Sequence, residues 1–160
     1  MQLRKSLLLL FSTFFAMSLI AQVKSIKITD LEKTIAESKT PMIINFWATY
    51  CGPCIAEMPA FQQLAEKYSH KGLKLIFVSL DMREDYPAKV DSFVVKRKIR
   101  NQVLWLNETN ADYFCPKVDE KWSGAIPATL LVNKTKTVRR FFEKEMTEQE
   151  LEKEIMAILD

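Results

Sequence analysis

Two short, nearly continuous apolar runs set the terms for how this chain can fold. Met42 to Trp47 is apolar at every position except Asn45, and Leu73 to Leu80 is interrupted only by Lys74 and Ser79. A strand without polar alternation has no face to give to water, so it must be covered on both sides. Each run is followed by apolar residues at helical spacing. Met58, Phe61, Leu64, Ala65 and Tyr68 follow the first, and Val90, Phe93 and Val94 follow the second, behind Pro87. Strand, helix, strand, helix in that order predicts an α/β domain: parallel strands joined by right-handed crossovers, with helices on both faces.

The remaining elements extend this frame. Val23 to Ile28 alternates like a short strand, and Thr29 with Glu32 reads as a capping box opening a helix that Pro41 stops. The helix after the first run is expected from Cys51 to Tyr68, kinked at Pro59. Val103 to Leu106 is a further strand. Residues 107–124 are polar and read as an insertion: a loop, then a short helix starting at Pro116 with Val118 and Trp122 turned inward. Ala128–Val132 and Val138–Phe142 form an antiparallel hairpin, which makes the sheet mixed. Thr147 and Glu150 cap a last helix whose core face is Leu151, Ile155, Ile158 and Leu159. Residues 22–160 therefore read as one domain.

Residues 1–21 do not fit it. Arg4 and Lys5 precede an apolar stretch over 7–20, the pattern of a secretory signal, with cleavage expected after Ala21 or after Ser18. The alternative is an uncleaved tether over residues 7–21, although a spanning helix needs about 20 apolar residues. Both place the domain outside the cytoplasm, in the periplasm or at the outer face of the inner membrane, where disulfides persist. The formal charge of +3 falls to +1 without Arg4 and Lys5. Such a balance gives no basic face for nucleic acid; Lys96–Lys98 with Arg100 reads as a solvated helix end. A hydrophobic content of 48% excludes disorder, and 3 cysteines are too few for a disulfide-stapled miniprotein.

Two of those cysteines carry the chemistry. Cys51-Gly52-Pro53-Cys54 follows a buried strand and opens a helix. At a helix N-terminus, unpaired N–H groups and the macrodipole favour a thiolate, which is the nucleophile of disulfide exchange. A spacing of three lets Cys54 attack a mixed disulfide formed at Cys51. A zinc site would need four ligands, and only Cys115 and His70 are left to complete one. A purely structural disulfide over so small a loop would stabilise little. No metal is expected. Cys115 reads as a buried, unpaired thiol, His70 as a cation at a helix end, and Trp105 and Trp122 as packing anchors.

These residues resemble the thioredoxin superfamily and, within it, the exported TlpA/ResA-like thiol:disulfide oxidoreductases. Phe46-Trp47-Ala48-Thr49 before Cys51-Gly52-Pro53-Cys54, Glu57-Met58-Pro59 on the helix, and Gly124-Ala125-Ile126-Pro127-Ala128-Thr129 about 70 residues later carry the resemblance, which spans roughly residues 25–160. It implies the thioredoxin fold, a cis bond before Pro127, and a substrate surface of Trp47, Tyr50, Gly52, Pro53, Ile126 and Pro127, along which a peptide adds edge-on. Tyr50 stands where many members have Trp. Asn45 stands where thioredoxin has a buried Asp that assists proton transfer, so Glu57 is the candidate proton acceptor for Cys54. The competing reading is an exposed helix glutamate.

The function expected is reduction of protein disulfides, without a cofactor beyond the redox-active Cys51/Cys54 pair. Its partners would be disulfide-bonded substrate proteins and a membrane electron donor of the thiol-transfer type, and the chain is expected to be a monomer. The resemblance extends to service in cytochrome c maturation or periplasmic redox homeostasis. Two other readings stand beside it: a non-catalytic adaptor binding a partner in the groove near Pro127, and, more weakly, a thioredoxin-fold peroxidase.

Overall fold

A computed structural model describes residues 22–159 of the chain, so the leader and tether expectations for residues 1–21 lie outside the described residues. The strands are β1 (Lys24–Ile26), β2 (Met42–Trp47), β3 (Lys74–Ser79), β4 (Gln102–Leu106), β5 (Ala128–Val132) and β6 (Arg139–Phe142). The helices are α1 (Ile28–Glu37), α2 (Gly52–Lys67), α3 (Ala88–Lys96), α4 (Ala111–Val118) and α5 (Glu148–Leu159), with a single 3-10 turn over Ser69–Lys71. All six strands form one sheet in the order β1-β4-β3-β2-β5-β6. The first four run parallel, while β5 is antiparallel to both β2 and β6. This is the mixed, two-sided α/β sheet expected.

Alternation along the strands divides the core in two. Ile43, Trp47, Leu75, Phe77, Val103, Trp105 and Leu131 face α2, α3 and α5, meeting Met58, Phe61, Leu64, Val90, Leu151 and Ile155. Met42, Ile44, Phe46, Ile76, Val78, Leu104 and Leu130 face the opposite side, against Ile28, Leu31 and Ile35 of α1 and Phe114 and Val118 of α4. Every residue of β2 is buried, which is why its sequence shows no polar face. Burying each Leu, Ile or Phe of this kind contributes ~1.5–3 kcal/mol.

Two helices start elsewhere than expected. α1 begins at Ile28, not Thr29, and the capping carboxylate is Asp30, which accepts the Lys27 N–H at 2.9 Å, in place of Glu32. Ile28 is fully buried and forms one stripe with Leu31 and Ile35, so packing draws it into the helix. α4 begins at Ala111, five residues ahead of Pro116, which lies in its last turn. There the missing proline N–H removes one helical hydrogen bond shortly before the helix ends. The polar residues that suggested a loop are its solvent side, and Phe114, Cys115 and Val118 are its buried side. Trp122 is inward, as expected, but beyond the helix, packed on Phe46, Phe114 and Phe141 at 4.5, 5.6 and 5.8 Å between centroids.

Candidate active site

The site forms where β2 hands over to α2. After Trp47 the chain turns, with the Cys51 N–H donating to Ala48 O at 3.0 Å, and α2 begins at Gly52. Cys51 is the N-cap, and its Sγ accepts the Cys54 N–H at 3.3 Å. Pro53 lies in the first turn, where its missing N–H costs nothing. Cys51 and Cys54 are joined as a disulfide, with their Cα atoms 5.3 Å apart. Cys51 keeps 8% exposure and Cys54 none, so an incoming sulfur can approach only Cys51. Tyr50 stands out at 60% exposure beside it. A side chain at Gly52 would meet nothing within 4 Å, so that position lies open. Trp47 is fully buried against Phe93 at 4.9 Å between centroids; it supports the surface from beneath and does not form part of it.

Glu57 is on α2, three residues past Cys54, and is only 4% exposed. It is not the exposed helix glutamate of the competing reading. Its carboxylate accepts the Asn45 Nδ2–H at 2.8 Å and the Met146 N–H at 2.9 Å. Burial pushes its pKa up to about 7, against the lowering effect of those two donors, and the nearby Glu145 charge raises it further. Asn45 also donates to Thr129 Oγ1 at 3.1 Å, while its own Oδ1 has no partner among the described residues. A carboxyl group that changes protonation near neutrality therefore lies one helical turn beyond Cys54.

Pro127 follows a cis bond from Ile126. Ala128, the first residue of β5, pairs with Phe46, which sets Pro127 just ahead of that strand, beside the end of β2 and the cysteine turn. Ile126 is partly buried between the two core layers. The segment before it is tied down twice. Trp122 Nε1 donates to Ala125 O at 2.9 Å, and the Glu143 carboxylate accepts the N–H groups of Ser123 and Ala125 and the Ser123 hydroxyl. The Ser123 hydroxyl, followed by these backbone donors, holds the Glu143 carboxyl below the usual range.

Other groups singled out in the sequence lie apart. Cys115 is buried, and desolvation, with Glu143 and Asp112 nearby, pushes its thiol up to about 11, which leaves it a poor nucleophile. His70 Nδ1 faces Lys67 O at 2.9 Å on the exposed 3-10 turn. Sequence reasoning missed Thr49, Asp81, Glu143 and Met146. Of these, Thr49 stood in the motif before the cysteines without a role assigned to it, and Asp81 carried the signal of its place at the end of a buried parallel strand, where α/β sheets gather function.

A cysteine pair at the start of a helix, with a cis-proline loop beside it on a mixed sheet, defines a thioredoxin-fold thiol:disulfide oxidoreductase. The chain belongs to the AhpC/TSA family, whose model matches residues 16–141. It is 30% identical over 152 residues to the thiol-disulfide oxidoreductase ResA of Bacillus cereus, a match covering 89% of this chain and 82% of that protein. Against the ResA of Oceanobacillus iheyensis it is 47% identical over 53 residues, 33% of this chain and only 26% of that relative's length. Its fold matches a secreted Mycobacterium tuberculosis disulfide oxidoreductase, homologous to E. coli DsbE, with a TM-score of 0.58, 18% identity and coverage of 76% and 84% of the two chains.

Proposed function

We propose that this chain is an exported reductant of protein disulfides in which Cys51 attacks and Cys54 resolves. One observation carries the reading: of two sulfurs at one helix N-terminus, Cys51 is reachable and Cys54 is sealed. The Cys51 thiolate attacks one sulfur of a substrate disulfide. A mixed disulfide forms, and the other substrate sulfur leaves as a thiolate and takes a proton. Glu57 takes the proton of Cys54, whose thiolate then attacks Cys51 Sγ and releases the second substrate thiol. Two electrons pass to the substrate, and the pair ends as the disulfide. A thiol-transfer donor at the membrane restores the dithiol, and no dissociable cofactor is called for.

Tyr50, Gly52, Pro53, Ile126 and Pro127 would receive the substrate chain, with Ile126 backbone groups pairing edge-on. The Gly-Pro pair between the cysteines supports the reducing direction, since thioredoxin lies at about −270 mV and the oxidant DsbA at about −120 mV. The leader pattern of residues 1–21 supports export, and cytochrome c maturation is a fitting destination for such a reductant. Among the described residues no helix is long and apolar enough to cross a membrane.

Equilibration of the pair against glutathione or dithiothreitol, with thiol alkylation and mass spectrometry, tests the direction. A potential near that of thioredoxin supports it, and one near that of the strong oxidants reverses it. Cys54→Ser should trap a mixed disulfide through Cys51, while Cys51→Ser traps none and loses turnover. A Cys51→Ser chain that keeps its biological role would make the protein an adaptor instead.

A further inference from the structure

Both hydrogen-bond donors of Thr49 converge on one buried carboxylate. Asp81, just past the end of β3 and 3% exposed, accepts the Thr49 N–H at 3.1 Å to each carboxylate oxygen, and the Thr49 hydroxyl as well. It is itself held from two further sides. The Ser79 hydroxyl donates to Asp81 Oδ2 at 2.7 Å, and Trp105 Nε1 on β4 donates to the Asp81 carbonyl at 2.8 Å. The Leu80 N–H adds a bond to Trp47 O at 2.8 Å. The β3 terminus thus grips the chain two residues before Cys51, inside the Ala48–Cys51 turn.

Disulfide exchange does not itself call for this carboxylate, whose hydrogen bonds go to Thr49 and Ser79 and not to either sulfur. A buried carboxyl group that gathers three donors holds those donors in one arrangement, because letting any of them go leaves a buried polar group without a partner. We infer that Asp81 is a positioning residue, acting through Thr49 to fix the turn that sets Cys51 Sγ over the N-terminus of α2. The Cys54 N–H bond to Cys51 Sγ depends on that placement. N–H bonds of this kind favour a thiolate over a disulfide sulfur, so a loosened turn should change the balance between dithiol and disulfide. Asp81 would then tune the exchange equilibrium without touching a reacting atom. The inference rests on Cys51 and Cys54 being an exchanging pair.

The test uses the full chain and three variants: Asp81→Asn, Thr49→Val and Thr49→Ser. Thr49→Val keeps the shape at a half-buried position and removes only the hydroxyl; Thr49→Ser restores the hydroxyl. The readout is the equilibrium constant with glutathione, with urea unfolding alongside to report stability. Asp81→Asn and Thr49→Val should shift the constant about threefold or more in the same direction, and Thr49→Ser should stay within about 1.5-fold of the parent. A folded Thr49→Val protein with an unmoved constant overturns the inference, as does Thr49→Ser moving as far as Thr49→Val. If Asp81→Asn does not fold, the Thr49 pair decides alone. A parent pair inert to glutathione would remove the exchange reading and this inference with it, whereas a normal parent with an unmoved valine variant removes only the inference.

Discussion

Glu57 is where local chemistry and stability meet. Its pKa of about 7 in the folded chain lies above the ordinary 4.5. Below pH 4.5 the group is protonated folded or unfolded, and it favours neither state. From pH 4.5 to 7 the unfolded chain gives up this proton while the folded chain keeps it, so stability falls as pH rises. The loss is complete above pH 7, at about 3 kcal/mol from this group. Urea midpoints measured from pH 4.5 to 8 should show that decline in the parent, and Glu57→Gln should flatten it. The same variant should slow resolution of the mixed disulfide about tenfold or more at pH 7, read by quenched-flow alkylation. Gly52 is the opposite case. Gly52→Ala meets no neighbour, so the thermal midpoint should reflect a change within about 0.5 kcal/mol. The cysteine pair was legible in the sequence because its chemistry is local. The donors to Glu57 were not, since Met146 lies 89 residues away and only the folded chain brings it to the carboxylate.

At the scale of elements, β2, β3, β5 and α5 were readable from apolar pattern and caps. Thr147 and Glu150 do cap α5 reciprocally, with the Thr147 N–H donating to Glu150 Oε2 at 3.0 Å and the Glu150 N–H to Thr147 Oγ1 at 3.2 Å. The starts of α1 and α4 were not readable, because tertiary packing of Ile28 and Phe114 outweighed the local signals of Thr29 and Pro116. The loop before Pro127 depends on two elements outside itself, Trp122 and the segment after β6. Replacing Glu143 by Gln should weaken the bonds to Ser123 and Ala125 and leave the fold intact. Reduction of a protein disulfide should then slow severalfold through KM, while exchange with glutathione, which needs no such loop, should be unchanged. Equal effects on both substrates would count against a substrate-receiving role for this loop. Glu143 and Glu150 are both held below the ordinary carboxylate range, Glu150 at about 2. Each therefore adds stability above pH 4.5 that is lost as pH falls through its folded pKa.

For the whole molecule, two apolar layers share one sheet, and Cys51 and Cys54 belong to the layer that also holds Phe61 and Ile155. Phe61→Ala, deep in the layer beneath α2, should cost ~3–5 kcal/mol, and Ile155→Ala ~2–5 kcal/mol, both measured by urea unfolding. The exchange constant of the fraction still folded should stay near that of the parent.

The polarity of the sheet also gives the domain a front and a back. β1, β4, β3 and β2 all point the same way, and the reactive turn leaves from the far end of β2. Yet Lys24, which opens β1, stands level with Leu104, Val78 and Phe46 across the sheet, so it lies near the same rim as the reactive turn, three strands or about 14 Å to the side. Anything that grips the domain ahead of β1 would hold it by the flank, on the side of the rim that carries the sulfurs, and would set how they face a neighbour.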